Sequence, residues 1–206
     1  MELDFLVKGV VIGFSIAAPV GPIGVLCIRR SLAEGTVAGL ATGLGAATAD
    51  AVYGCVAGFG MTALSAFLVS QRLWFAGIGG LFLCYLGIRT FFSPPVKREA
   101  ETVSSGLPGA YLCTLFLTLA NPMTILSFVA VFAGFGLVAS PNYLSASALV
   151  AGVFIGSGLW WLVLSGSVAL FRKRFSTVWM RAVNRLAGIV IMGFGIYSLS
   201  TLLAAK

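Results

Sequence analysis

A single acidic residue, Asp50, lies in a long stretch of the sequence that otherwise carries no charge. It is the only charged residue between Glu34 and Arg72. A carboxylate within a membrane segment costs roughly 2.5–3.5 kcal/mol on insertion scales, and such residues commonly mark substrate, ion or proton pathways. Apolar surroundings favour the neutral acid, which allows a carboxyl group to take up and release a proton. Because the chain has no histidine, Asp50 is the leading candidate for a proton carrier.

The neighbours of Asp50 suggest where its side chain points. Residues spaced three or four apart lie on the same face of a helix. On the face that would carry Asp50, the other residues are all small: Gly39, Gly43, Ala47 and Gly54. Small residues at this spacing let helix backbones approach closely, so we expect Asp50 to point into a helix bundle. The alternative is a structural carboxylate that is hydrogen-bonded to Tyr53, to Thr48 or to a free backbone amide.

Proline interrupts two apolar segments at similar positions. The two sequences are Ala18-Pro19-Val20-Gly21-Pro22-Ile23 and Ala120-Asn121-Pro122-Met123-Thr124-Ile125. Proline lacks an amide proton and clashes with the preceding turn, so each site is predicted to kink or break a helix. The backbone groups freed within a membrane must face protein or a water-filled cavity, where they can contact a ligand. The alternative is a pair of packing kinks.

The elements that carry these residues have the composition of a polytopic membrane protein. Of 206 residues, 59% are hydrophobic and 9% are charged, whereas soluble domains have roughly a quarter charged residues. Spanning a bilayer takes about 20 apolar residues of helix. Six such segments are predicted: 7–28, 37–60, 72–92, 109–138, 144–170 and 185–204. The predicted fold class is therefore all-α, with six transmembrane helices of which helices 1 and 4 are broken by proline.

The predicted domain organisation is a single transmembrane domain over residues 1–206. Residues from about 5 to 92 form one three-helix repeat and residues from about 107 to 204 form a second, joined by a polar loop at 93–106. An odd number of spans in each half makes the two repeats inverted in the membrane, as in many transporters. The turn signal Ser140-Pro141-Asn142 separates the fourth and fifth segments.

The start of the chain allows a second interpretation. Lys8 precedes an apolar run in which Ser15-Ile16-Ala17 weakly resembles the cleavage site of a signal peptide. Because apolar sequence continues past Pro22 to Ile28, we favour a membrane span.

Basic residues are distributed unevenly between the two sides of the predicted spans. One side holds Arg29, Arg30, Arg89, Lys97, Arg98, Arg172, Lys173, Arg174, Arg181 and Arg185, and the other holds Lys8, Arg72 and Lys206. The side richer in lysine and arginine is usually cytoplasmic, so both termini are predicted to lie outside. The net charge of +7 is thus explained by orientation, and no nucleic-acid partner is predicted.

Taken together, these features resemble the LysE/RhtB family of bacterial amino-acid exporters along nearly the whole chain. The matching parts are Gly21-Pro22, the spaced Gly39, Gly43 and Asp50, the sequence Tyr85-Leu86-Gly87-Ile88-Arg89, and Asn121-Pro122. The resemblance implies an inner-membrane exporter of amino acids or related small zwitterions that uses the proton gradient. Both termini would then be periplasmic. No cofactor is predicted.

The resemblance also bears on individual residues. It supports a pathway formed by Pro19, Gly21, Pro22, Asp50, Asn121 and Pro122, and Tyr53 and Thr124 complete the predicted set. Many family members carry lysine after the Asn-Pro pair, whereas this chain has Met123. This departure weakens any transfer of substrate identity from the lysine-bearing members.

The chemistry of a zwitterion suits these residues. The helix N-termini beyond Pro22 and Pro122 would offer amide groups and positive dipole ends to a carboxylate, and Asn121 would add a side-chain hydrogen bond. Ionised Asp50 would hold the ammonium group, and protonation would release it. Substrate, proton and the lipid bilayer are thus the predicted partners.

Four alternatives use other features of the sequence. A divalent-metal exporter would depend on Asp50, although one mid-span acid and isolated cysteines provide few ligands, and no metal site is predicted. A transmembrane thiol carrier would pair Cys27 with Cys113, which lie near the two breaks. A purely structural or partner-binding membrane protein would have little use for a mid-span acid. An enzyme would need catalytic groups, and the sequence has no Walker A motif, histidine or paired carboxylates.

A homodimer is also predicted as a possible assembly. The stripe formed by Gly9, Gly13 and Ala17 offers a face of small residues. Such a face can pack against a second copy or within one chain.

Overall fold

The computed structural model describes residues 2–19, 21–59, 67, 70–93, 106–121, 124–125, 127–128, 143–171 and 177–204. This part of the chain is helical and contains no strand, in agreement with the all-α prediction. Its seven long helices are α1 (Glu2–Ala17), α2 (Pro22–Ala33), α3 (Thr36–Gly58), α4 (Arg72–Phe91), α5 (Gly106–Leu119), α6 (Tyr143–Phe171) and α7 (Thr177–Ala204).

The first predicted segment consists of two helices. α1 ends at Ala17, α2 begins at Pro22, and the two axes differ in direction by 82°. Proline is well suited to the first position of a helix because the amide it lacks has no intrahelical partner there. Gly35, with φ of 103°, then turns the chain from α2 into α3 through a left-handed conformation that glycine adopts readily.

Length and composition identify the helices that can cross a membrane. Among the described helices, three meet both requirements, over 73–91, 143–170 and 181–200. The bent pair α1–α2 is apolar enough to count as a fourth if its two helices form one span, and it has the geometry of either a broken span or a re-entrant loop. α3 has 23 residues but is rich in glycine, alanine and threonine and contains Asp50. α5 is an apolar helix of 14 residues.

The last helix starts earlier than the sequence predicts. α7 begins at Thr177 and not near residue 185, so Arg181 lies within its first turns as an exposed side chain. Arginine has a high helix propensity, and a hydrophobic run marks only the part of a helix that faces lipid.

Some predicted features lie outside the described residues. They are Pro122 and Met123, the turn at Ser140-Pro141-Asn142, residues 94–105 of the polar loop with Lys97 and Arg98, the cluster Arg172-Lys173-Arg174, and Lys206.

α1 and α6 pack with their backbones in direct contact. A Cβ atom added to Gly9 would collide with the Leu149 carbonyl, and one added to Gly13 would collide with the Val153 carbonyl. The contacts advance together along both helices, which are therefore parallel. Ala17 is also buried, so the small-residue stripe of α1 is used for packing within the chain and does not offer a face to a second copy.

The small-residue stripe of α3 lies against α6. Gly39 is close to Ser165, Gly43 to Trp161, and Gly54 to Val153. In these contacts the residue numbers increase along α3 while they decrease along α6, so the two helices are antiparallel.

Two further helix pairs complete the bundle. α4 and α7 are antiparallel, because Gly80 lies against Gly195 and Gly87 lies against Gly188. α3 and α5 are parallel: Gly45 lies against the Tyr111 carbonyl, and further along both helices Tyr53 reaches Leu119.

Several basic residues meet at one end of the bundle. The Arg29 Nε donates to Asn184 Oδ1 at 3.2 Å, and Asn184 Nδ2 donates to the Ser93 carbonyl at 3.2 Å. Arg185 lies over the Phe91 ring, 6.0 Å from its centroid. The C-terminal ends of α2 and α4 and the start of α7 therefore lie together, with Arg29 and Arg185 among them.

Candidate functional site

Asp50 is the buried acid of the bundle. It lies on α3, its side chain faces α6, and only 3% of its surface is exposed. The Ser157 hydroxyl of α6 donates to Asp50 Oδ2 at 2.7 Å. Trp161, one turn further along α6, donates from its indole Nε1 to Ser157 Oγ at 3.1 Å. Asp50 thus ends a chain of three polar side chains.

The surroundings of Asp50 contain no compensating positive charge within the described residues. α6 carries no charged side chain from Tyr143 to Phe171, and no described lysine or arginine forms an ion pair with Asp50. A buried carboxylate without a cationic partner is unfavourable, because desolvation of the charge is only partly offset by one hydrogen bond. The site therefore favours either a bound proton or a bound cation.

Two apolar clusters lie on either side of Asp50 along α3. The first contains Ala46 and Ala47 of α3, with Ala17, Ile23, Cys27 and Trp161. The second contains Tyr53, with Ile12, Ile125, Phe128, Leu149 and Val153. Because Ala17 and Ile23 flank the first break and Ile125 follows the second, Asp50 lies between the two breaks.

The first break brings backbone groups toward this region. Pro19 is exposed in the bend, Gly21 is half-buried with φ of −100° and ψ of −164°, and Pro22 is the first residue of α2. No side chain caps α2, so the first amides of the helix, at Ile23 and Gly24, have no partner inside it. A Cβ atom added to Gly21 would meet nothing within 4 Å.

The second break is joined to α3 by Tyr53. α5 ends at Leu119, and the Tyr53 hydroxyl donates to the Leu119 carbonyl at 2.6 Å. This bond satisfies a carbonyl that the end of the helix leaves without a partner. The chain then starts a new helical turn, in which the Asn121 carbonyl accepts from the amides of Thr124 at 3.1 Å and Ile125 at 3.2 Å. Asn121 and Thr124 are both half-buried.

The partner of Asp50 is a residue that the sequence does not single out. Of the two side chains considered, Tyr53 binds Leu119, and Thr48 binds the Leu44 carbonyl and accepts from Tyr111. Ser157 occupies the position instead. The sequence offers one signal for the pair: Ser157 and Trp161 are four residues apart, which places a hydroxyl and an indole on the same helix face. α6 contains four other serines, so this signal does not single out Ser157.

The cysteines do not form the pair that a thiol carrier would use. All four are free. Cys27 is fully buried, with its sulfur 3.3 Å from the Ser165 hydroxyl, whereas Cys113 packs in a separate cluster with Leu26 and Leu117. Within the described ranges, no three histidine, cysteine or acidic residues lie close enough together to bind a metal ion.

Comparison with known proteins identifies relatives of similar size. Residues 14–201 match the family model described as "LysE type translocator". The chain is 27% identical over 202 residues to "Putative amino acid efflux protein YcgF" of Bacillus subtilis (strain 168), covering 95% of both chains.

Two further relatives have names without an assigned substrate. "Uncharacterized membrane protein YahN" of Escherichia coli (strain K12) is 27% identical over 177 residues, covering 84% of this chain and 77% of the relative. "Uncharacterized membrane protein YrhP" of Bacillus subtilis is 23% identical over 184 residues, covering 83% and 87%. No solved structure matches the chain.

Proposed function

The chain belongs to the LysE type translocator family, and on that basis we propose that it exports amino acids or closely related small zwitterions in exchange for protons. It is a multi-pass membrane transporter. The observation that carries the proposal is Asp50: a buried carboxylate, 3% exposed, that lies between two helix breaks and has no cationic partner among the described residues.

The proposed topology is six spans in two inverted three-helix repeats, covering residues from about 5 to 92 and from about 107 to 204. The pairing of the helices supports it. In this topology α1, α3 and α4 of the first half correspond to α5, α6 and α7 of the second. The parallel pair α1–α6 then corresponds to the parallel pair α5–α3, and each of the antiparallel pairs α3–α6 and α4–α7 corresponds to itself. Six spans that alternate in direction through the membrane require two parallel and two antiparallel pairs at these places.

The proposed location is the bacterial inner membrane, with both termini in the periplasm. Arg29, Arg30 and Arg185, assigned to the cytoplasmic side from charge bias, come together at one end of the bundle. Their meeting supports the assignment of these arginines to one side. A homodimer remains a prediction, and its interface would have to avoid the Gly9 and Gly13 face that α6 covers.

The two charges of a zwitterion would be bound by different parts of the site. The start of α2 offers uncapped amide groups and the positive end of a helix dipole to a carboxylate. Asn121, at the second break, adds polar groups. The ammonium group would bind Asp50, whose single described hydrogen bond comes from Ser157.

Coupling follows from competition at Asp50. A proton that reaches Asp50 from the periplasm converts it to the neutral acid, which no longer attracts the ammonium group, and the amino acid leaves. Release of that proton to the cytoplasm restores the carboxylate for the next substrate. One site thus binds either a proton or a substrate cation, which is the requirement for exchange.

The test uses cells loaded with mixed dipeptides, whose internal hydrolysis raises free amino acids. We expect the wild-type protein to increase the release of one group of amino acids into the medium, and Asp50→Asn to abolish the increase while inserting normally. Asp4→Asn, the same substitution at an exposed residue of α1, is the matched control and should transport as the wild type does.

The assay is repeated with the proton gradient collapsed by an ionophore. We expect wild-type release to fall to the level of Asp50→Asn. Release that is identical in cells with and without the protein would refute amino-acid export, and export by Asp50→Asn at the wild-type rate would refute the role of Asp50.

A further inference from the structure

We propose that Ser157 and Trp161 are positioning residues that fix the Asp50 carboxylate so that Oδ1, and not Oδ2, binds the proton or the substrate cation. This inference rests on the proposed function, since it assigns the exchange reaction to one atom. It comes from the direction of the hydrogen bonds that join the three side chains.

Trp161 determines which group donates in each of the two hydrogen bonds that join these side chains. An indole N–H can only donate, whereas a serine hydroxyl has one proton to give and lone pairs that accept. Trp161 Nε1 is 3.1 Å from Ser157 Oγ, so the serine oxygen must be the acceptor of that bond. The single serine proton is then available for Asp50.

The proton of the Ser157 hydroxyl is donated to one of the two carboxylate oxygens of Asp50. Ser157 Oγ lies 2.7 Å from Asp50 Oδ2, a normal length for an O–H donor and a charged acceptor. A proton added to Oδ2 would face the serine proton, and to relieve this the serine hydroxyl would have to turn away from Asp50. Protonation at Oδ1 leaves both existing bonds in place.

The second carboxylate oxygen is free to react. Oδ1 accepts no hydrogen bond from the described residues. Oδ1 is therefore the carboxylate oxygen that is left to bind a proton or an ammonium group.

Few other ionisable groups face this part of α3. They are Tyr53 on α3 itself, Tyr111 on α5, and Cys27 and Arg30 on α2. α6 has none along the stretch that packs here, and the nearest on α1, Lys8, is exposed. Arg30 donates to Thr42 Oγ1 and the Ala110 carbonyl, and thus does not reach Asp50.

The serine bond favours the ionised carboxylate. A hydrogen bond to a charged acceptor is stronger than one to a neutral acceptor, so the bond from Ser157 stabilises the carboxylate more than the neutral acid. Without the Ser157 hydroxyl, Asp50 would keep its proton to higher pH, by on the order of one unit. A residue with only a packing role would leave this midpoint unchanged.

The experiment follows the protonation of Asp50 in purified, membrane-reconstituted protein. The carbonyl stretch of a protonated carboxylic acid is measured by infrared difference spectroscopy as pH is varied, and the band of Asp50 is identified by its absence in Asp50→Asn. Ser157→Ala is expected to move the midpoint up by about one pH unit, and Ser157→Thr, which retains a hydroxyl, to restore it. Trp161→Phe should produce a smaller shift in the same direction, because Ser157 then loses the donor that orients it.

Ser165→Ala is the matched control. Ser165 is a buried serine two turns further along α6, where it contacts Cys27 and not Asp50. It should leave the midpoint at the wild-type value. If Ser157→Ala does not fold, Trp161→Phe carries the test, since phenylalanine keeps most of the packed volume.

The outcomes separate this inference from the proposed function. Equal midpoints for the wild type, Ser157→Ala and Trp161→Phe would overturn the positioning role, even if amino-acid export is observed. Shifted midpoints in a protein that exports no amino acid would retain the positioning role and reject the substrate.

Discussion

The guanidinium of Arg30 donates a 3.0 Å hydrogen bond to the carbonyl of Ala110. Arg30 belongs to α2 and Ala110 to α5, so this bond connects the first proposed repeat to the second. Arg30 also donates to Thr42 Oγ1 at 3.0 Å, and only 7% of its surface is exposed. A buried arginine thus joins three helices at one end of the bundle.

Arg30→Ala is expected to destabilise the protein. It removes two hydrogen bonds from a charged donor, each contributing roughly 1.5–3 kcal/mol. In a chain of this size about 1 kcal/mol corresponds to a shift of 2–4 °C in Tm, so we expect a decrease of roughly 5 °C or more in thermal unfolding in detergent. Arg181→Ala, at an exposed position of α7, is the control and should leave Tm almost unchanged. Equal Tm values for the two variants would contradict a joining role for Arg30.

Tyr53→Phe is expected to weaken the second break. The substitution keeps the ring against Phe128 but leaves the Leu119 carbonyl without its donor, at a cost of about 1–3 kcal/mol. We expect a lower Tm and slower export, measured in the same dipeptide assay. Tyr197→Phe makes the same change at an exposed residue of α7 and should have neither effect. Slower export from Tyr197→Phe as well would point to a general response to the loss of a hydroxyl.

Two glycines of α7 are expected to respond in opposite ways to alanine. A Cβ atom on Gly195 would lie 2.8 Å from the Gly80 carbonyl and 2.6 Å from Cys84 Sγ, whereas one on Gly193 would meet nothing within 4 Å. Gly195→Ala should therefore destabilise by about 1–3 kcal/mol through overpacking. Gly193→Ala should be neutral or stabilise by up to about 1 kcal/mol because alanine has the higher helix propensity. The Tm of each variant is compared with that of the wild type. A Gly195→Ala variant as stable as the wild type would mean that α4 and α7 lie further apart than the contacts of Gly195 indicate.

Replacing all four cysteines with alanine should retain export. The four thiols are free, and Cys27 and Cys113 pack in different clusters. The dipeptide assay compares this variant with Cys27→Ala alone, which controls for the small cavity that loss of a fully buried side chain creates. Loss of export in both Cys27→Ala and Cys113→Ala, with normal insertion, would instead favour thiol exchange.

Local rules were sufficient for much of the fold. The Pro22 break could be predicted because proline acts on the turn that contains it. The orientation of Asp50 could be predicted from the small residues on its face, since the period of a helix depends only on sequence spacing.

Features that depend on the register between helices could not be predicted in this way. Ser157 reaches Asp50 because α3 and α6 are antiparallel with a particular offset, which no local pattern specifies. The same holds for Arg30. Charge counting groups it with Arg29 as an orientation signal, whereas the structure buries Arg30 between α3 and α5.

The close contact of α1 and α6 has a consequence for anyone who wishes to alter the specificity of this transporter. Where a carbonyl of one helix touches a glycine of the other, as at Gly13 and Val153, even a methyl group cannot be added. Gly21, at the first break, accepts a Cβ atom without any contact. A library of substitutions should therefore begin at Gly21 and leave the contacting residues of α1 and α6 unchanged.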